Sequence, residues 1–224
     1  MSLNLFKYHT NPETITGFDQ AMNSVPDLAW AHFEDNHEEL RKREHVWAKS
    51  AFYSLEYAFY VLDGRFEKGE DGIATDARYS YEYARDVLSG ERVEKIEDAI
   101  ATSAEYSHRY AASVLGGRFV KGEDAIATSA EYSYRYAKDV LRGERFEKGE
   151  DAIATSAHYS YFYATDVLSG ERVEKFEDAI ATSALYSYAY AQDVLSGERF
   201  EKGEDAIRGS KYQEKYEELT GVKL

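Results

Sequence analysis

The chain has 224 residues, with 42 acidic against 27 basic side chains and a net charge of −15. That balance disfavours non-specific binding to nucleic acid, where cations must dominate the contact surface. Cysteine is absent, which excludes disulfides and thiolate chemistry, and no apolar run approaches the roughly 20 residues of a membrane span.

From the N-terminus, MSLNLFKYHTNPETI has neither a basic start nor an apolar stretch. No secretory leader is expected, and a reducing cytoplasm is the expected setting. Residues 4–23 read as an irregular lead-in with a short helix that covers the first full repeat. PDLAWAHFEDNHEELRKREHVW, from Pro26 to Trp47, reads as a degenerate unit. Pro26 suits the first helical position, and Trp30 falls where later units carry Tyr134. Residues 1–46 are therefore assigned to an N-terminal degenerate repeat and cap.

Beyond it the chain repeats. Ile73, Ile100, Ile126, Ile153, Ile180 and Ile207 recur every 27 residues, once every 26, and Trp47 occupies the same place one unit earlier. Six units follow: 47–72, 73–99, 100–125, 126–152, 153–179 and 180–207. In each, FEKGEDAIAT or its equivalent forms a short first helix. A serine such as Ser129, Ser156 or Ser183 then sits at the N-cap of a second helix. That helix stops at a glycine suited to the C′ position: Gly64, Gly90, Gly117, Gly143, Gly170 or Gly197. A two-helix unit this short cannot bury its own apolar face, so the copies must stack. The fold expected is all-α, an α-solenoid (superhelix). Residues 208–224 supply a capping helix from Ser210 to about Gly221, with Tyr212, Tyr216 and Leu219 inward.

The second helix carries tyrosines at alternate positions, as in AEYSYRYAKDVL. On a helical wheel Tyr134, Ala137 and Leu141 share an apolar arc, Tyr136 and Val140 flank it, and Tyr132 lies beyond. In the first helix four units read Phe-x-x-Gly (Phe66/Gly69, Phe119/Gly122, Phe146/Gly149, Phe200/Gly203), and two read Val93/Ile96 and Val173/Phe176. Bulk lost at one position returns three residues later, on the same side of a helix. An arginine (Arg65, Arg92, Arg118, Arg145, Arg172, Arg199) and a Glu-Asp pair also recur in every unit, and they are expected to pair between neighbouring units.

Comparing the six copies exposes a variable stripe. The positions of Glu131, Arg135, Lys138 and Arg142 change freely from unit to unit and lie opposite the apolar arc. Apolar residues on such a stripe, Phe162 and Leu185, mark contact sites more often than chance placement does. Arg109, Arg135, Lys138 and Arg142 form a basic island suited to an acidic patch or a phosphate-bearing ligand. The candidate partner-binding residues are Arg109, Arg135, Lys138, Arg142, His158, Phe162 and Leu185. No catalytic or cofactor fingerprint occurs. His37-Glu38 lacks the second histidine of a zinc motif, and the carboxylate pairs recur in every unit instead of marking one acid–base site.

The repeat AIAxSxxYSYxYAxDVLxGRFxxGE over residues 47–207, with the closing YEELTGVKL, resembles short tandem α-helical repeat proteins encoded by tailed bacteriophages and metagenomic sequences. The resemblance implies a phage origin, and action in an infected bacterial cytoplasm or a virion. It supplies no site residues. Function is then expected to be non-catalytic: binding, and blocking or sequestering, a host macromolecule, possible defence factors included. A structural element of a phage particle, an acidic nucleic-acid mimic and a nucleotide-binding sponge stand as alternatives.

Overall fold

A computed structural model describes Met22 and residues 24–224. The lead-in expected over residues 4–23 lies outside the described residues, except for the buried, helical Met22. Among the described residues there is no β-strand, and sixteen α-helices follow one another in short pairs. They divide into two compact units, residues 1–100 and 101–224. Each unit is an α-solenoid of stacked two-helix repeats.

The first unit holds α1 (Pro26–Phe33), α2 (His37–Arg41), α3 (Glu44–Trp47), α4 (Ala51–Glu56), α5 (Glu70–Ile73), α6 (Ala77–Asp86) and α7 (Glu94–Ile100). Pro26 opens α1 as expected. Trp30 packs edge-on against Trp47 at 5.2 Å and tilted against Tyr53 at 5.5 Å. The second unit holds α8 (Ala104–Tyr110), α9 (Glu123–Ile126), α10 (Ala130–Arg135), α11 (Glu150–Ile153), α12 (Ala157–Asp166), α13 (Glu174–Ile180), α14 (Ala184–Asp193), α15 (Glu204–Ile207) and α16 (Gln213–Thr220). In this unit the second helices α8, α10, α12, α14 and the cap α16 pack in that order.

Local chemistry explains the pairs. Ser129, Ser156 and Ser183 cap the second helices, each accepting from the backbone N–H three residues on. The middle serine of the YSY words is fully buried and turns inward. Ser133, Ser160 and Ser187 donate to the carbonyls of Ile126, Ile153 and Ile180 at 2.9, 2.9 and 3.1 Å. Each hydroxyl is thus a second donor to the last carbonyl of the first helix, which also accepts the backbone N–H of the N-cap serine. The anchors Trp47, Ile73, Ile100, Ile126, Ile153, Ile180 and Ile207 are all fully buried.

The core of the second helix is rotated about a quarter turn from the expected arc. Ser133, Tyr136, Ala137 and Val140 are buried, whereas Tyr134 is only half-buried. The third tyrosine of each word is the core residue. Tyr136 accepts from the N–H of Phe119 at 2.9 Å and donates to Glu123 at 3.2 Å. Tyr163 does the same with Phe146 and Glu150, and Tyr216 of the cap helix with Phe200 and Glu204. Burial pushes these three phenols up to about 12, so they stay protonated donors. In the cap, Tyr216 is buried, Tyr212 stacks on Tyr188, and Leu219 is half-buried.

The recurring charges pair differently from expectation. Each arginine binds the glutamate five residues on within its own repeat, as in Arg65–Glu70, Arg118–Glu123, Arg145–Glu150 and Arg199–Glu204. These glutamates face inward and are buried, because they sit on the first turn beside the core tyrosine. Neighbouring repeats are joined instead by lysine and the outer aspartate: Lys95–Asp71 at 2.6 Å in the first unit, and Lys148–Asp124, Lys175–Asp151 and Lys202–Asp178 at 2.5, 2.7 and 2.9 Å in the second. These pairs are exposed and contribute at most about 1 kcal/mol each.

The helix stops also differ in detail. The left-handed residue common to all six is the one before the predicted glycine: Asp63, Ser89, Gly116, Arg142, Ser169 and Ser196, with φ between 49° and 61°. Gly90, Gly143, Gly170 and Gly197 continue in the left-handed region, while Gly64 and Gly117 do not. No described helix is long and apolar enough to cross a membrane.

Candidate protein-binding surface

In the second unit the variable positions of α8, α10, α12 and α14 lie opposite the buried serine–tyrosine–alanine face. His158, Arg109, Arg135, Lys138 and Leu185 are exposed, and Phe162 is half-buried. Arg142 does not belong with them. Its φ of 56° places it past the helical segment that ends at Val140, in the left-handed turn.

The basic island is compensated within the chain. Arg109 pairs with Glu105 at 2.8 Å and Arg135 with Glu131 at 2.9 Å, each one turn away on the same helix. Lys138 donates to Asp166 at 2.7 Å and to the Tyr134 hydroxyl at 3.0 Å. Only Arg142 of the four makes no ion pair among the described residues. Because surface i,i+4 pairs contribute only about 0.3–0.5 kcal/mol, Arg109 and Arg135 can exchange Glu105 and Glu131 for a partner's carboxylate at small cost.

The aromatic members form one cluster with Tyr186. His158 lies 4.8 Å from Phe162 and 5.6 Å from Tyr186 between ring centres, and its Nδ1 is 2.6 Å from the Tyr186 hydroxyl. Phe162 also meets Tyr161 at 5.2 Å and Tyr134 at 6.3 Å. Leu185, the residue before Tyr186 on α14, is 42% exposed, so an apolar side chain stands in water there. Neither α12 nor α14 carries a lysine or arginine.

Sequence reading missed the half-buried middle tyrosines. Tyr134 donates to Asp166 and Tyr161 to Asp193, each at 2.5 Å, linking the second helices of successive repeats. The aspartate of each DVL word was the available signal. It missed His108 as well, although His108 interrupts the YSYxY row as YSHRY. His108 is buried, its Nε2 has no hydrogen-bond partner among the described residues, and Asp139 Oδ2 lies 4.0 Å away. Tyr132 of α10 covers the ring at 5.9 Å.

Burial pushes the His108 imidazole below its ordinary value of 6.5; Asp139 and Glu131 oppose this, and Arg135 and Arg109 reinforce it. A folded-state value below the unfolded one favours folding above pH 6.5, and that contribution is lost as pH falls through the lower value. Substituting His108→Tyr restores the hydroxyl that reaches aspartate in the sister repeats. The variant is expected to gain about 1 kcal/mol at neutral pH and to lose less stability than the natural chain on acidification, measured by urea unfolding at pH 7 and pH 5. An unchanged acid sensitivity would exclude His108 as its source.

Among the described residues no group of three or more His, Cys, Asp or Glu side chains converges as metal ligands would. Comparisons with protein-family models, with curated proteins and with solved structures give no match to this chain.

Proposed function

We propose that the chain is a non-catalytic binding protein that docks a protein partner on the exposed face of α10, α12 and α14 and thereby blocks or sequesters it. The observation that carries this reading is the aromatic cluster of His158, Phe162 and Tyr186, with Leu185 exposed one residue before Tyr186, on the face where repeats differ most. Aromatic side chains supply large contact area at low entropic cost and dominate binding hot spots. The phage-like repeat pattern favours a host macromolecule as the target, met in the bacterial cytoplasm. Nucleic-acid mimicry is less well supported. The glutamates of the regular Glu-Asp pairs are internal and arginine-bound, and several of the outer aspartates are matched by lysines.

The test is the double variant Phe162→Ser/Leu185→Ser in capture of a partner from bacterial lysate. Retention is expected to fall by at least tenfold, in keeping with the loss of a central hot spot. Stability is expected to change by about 1 kcal/mol or less. Undiminished capture of the same partner would refute the surface.

A further inference from the structure

The chain shows how its own surface holds an ammonium group. Lys138 Nζ sits 2.7 Å from Asp166 Oδ2 and 3.0 Å from the Tyr134 hydroxyl, with the Tyr134 ring centre 5.4 Å away. The carboxylate supplies charge and the phenol oxygen accepts a second hydrogen bond. Lys138 reaches this position from one turn beyond Tyr134 on the same helical segment.

One repeat further on the same arrangement recurs without its cation. Tyr161 donates to Asp193 Oδ2 at 2.5 Å, as Tyr134 donates to Asp166. The residue in the place of Lys138 is Thr165, too short to reach Asp193. Its hydroxyl turns back to the Phe162 carbonyl at 3.2 Å and to Asp166 at 3.1 Å. Among the described residues Asp193 otherwise receives only the neutral amide of Gln192 at 3.1 Å. An open depression of about 590 Å³ lies over this pair, walled by Tyr161, Phe162, Thr165, Asp166 and Asp193. Neither flanking helix offers a cation, in a chain of net charge −15.

We propose that the Tyr161–Asp193 pair receives a lysine side chain from the protein partner, in the geometry Lys138 adopts one repeat earlier. The ammonium binds Asp193 Oδ2 and the Tyr161 hydroxyl, and the aliphatic stem lies along Phe162. This rests on the docking face proposed above and assigns the partner a class: a segment presenting lysine beside an apolar side chain that meets Leu185 and Phe162. Charge complementarity favours that class over an acidic or neutral segment.

The decisive variant is Thr165→Lys, which supplies the missing cation from within the chain. Binding of a fluorescein-labelled oligolysine peptide, followed by anisotropy, is expected to weaken on the order of tenfold. Asp193→Asn, which keeps the side-chain shape, is expected to weaken it similarly. Lys138→Thr opens a second receptor pair at Tyr134 and Asp166 and is expected to strengthen binding. Thr155→Lys adds the same charge at an exposed position outside the pair and is expected to leave affinity within about twofold. Equal weakening by Thr165→Lys and Thr155→Lys, or none by Thr165→Lys and Asp193→Asn, overturns the proposal. If those two variants are silent while Phe162→Ser/Leu185→Ser still abolishes partner capture, the lysine assignment falls and the docking face stands. If they weaken peptide binding while the Phe162 and Leu185 changes leave capture intact, the docking face falls and the lysine receptor stands.

Discussion

The double substitution Phe146→Val/Gly149→Phe is expected to fold within about 1 kcal/mol of the natural chain, whereas each single change costs about 2–4 kcal/mol. ERFEKGEDAI (144–153) and ERVEKFEDAI (171–180) differ only at these two positions. In the first, a 3₁₀ turn over Glu147–Gly149 precedes α11, and Phe146 stands outside the helix. In the second, Val173 is extended and α13 runs unbroken from Glu174 to Ile180. Both place a phenyl ring edge-on against the core tyrosine of the preceding second helix: Phe146 on Tyr136 at 5.1 Å, Phe176 on Tyr163 at 5.4 Å.

A Cβ added at Gly149 alone would lie 2.6 Å from Phe146 Cδ1 and 2.5 Å from Ser133 Cβ, so the single glycine substitution overpacks a filled space. Phe146→Val alone leaves a cavity against Tyr136. Together they vacate and refill one site, and the 3₁₀ turn can become the α-turn of α13. The coupling energy from urea unfolding of the four chains should reach several kcal/mol. A double variant as unstable as the sum of the singles would show that the exchange depends on its repeat and is not a local volume swap.

That exchange was legible from the letters, but its geometry was not. The sequence pattern puts Phe and Gly on one helical face; the structure puts Phe146 before the helix and lets its ring take the place of a side chain at 149. Periodicity reveals the repeat, the two helices, the serine caps and the stops, because each of those signals recurs at fixed spacing. It does not reveal which of three tyrosines points inward, since all three are equally apolar on a wheel. The choice is made by Ser133, small enough to approach Gly149 and able to reach the Ile126 carbonyl, and by the hydrogen bonds waiting for Tyr136.

The same reasoning separates what was readable in the docking face from what was not. Phe162, His158 and Leu185 stand out because they are apolar or aromatic where sister repeats carry charge, and in the structure His158, Phe162 and Tyr186 touch one another. Arg142 was misplaced because a left-handed φ on a non-glycine residue leaves no mark on a wheel. The neutralisation of Lys138 by Asp166 was hidden, since those two residues are 28 positions apart and meet only once the repeats stack.

Removing Arg145 is expected to cost far more than neutralising the glutamate it binds. Arg145→Met should lose about 3 kcal/mol and Glu150→Gln about 1 kcal/mol. The asymmetry follows from burial: the Arg145 side chain is 41% exposed and that of Glu150 only 6%. Without Arg145 the Glu150 carboxylate remains inside, held only by the Tyr163 hydroxyl at 3.3 Å and the first turn of α11. Without the glutamate charge, Arg145 turns into water, and a glutamine oxygen still accepts from Tyr163. Tyr163 in turn accepts from the Phe146 N–H at 2.9 Å, so the carboxylate, phenol and backbone form one chain of hydrogen bonds. The double variant Arg145→Met/Glu150→Gln should therefore regain most of the loss and approach Glu150→Gln alone. Urea unfolding of the three variants decides the matter. A loss below about 0.5 kcal/mol for Arg145→Met would mean that Tyr163 and the helix N-terminus suffice to hold the buried charge, and that the recurring arginine serves the surface instead of the core.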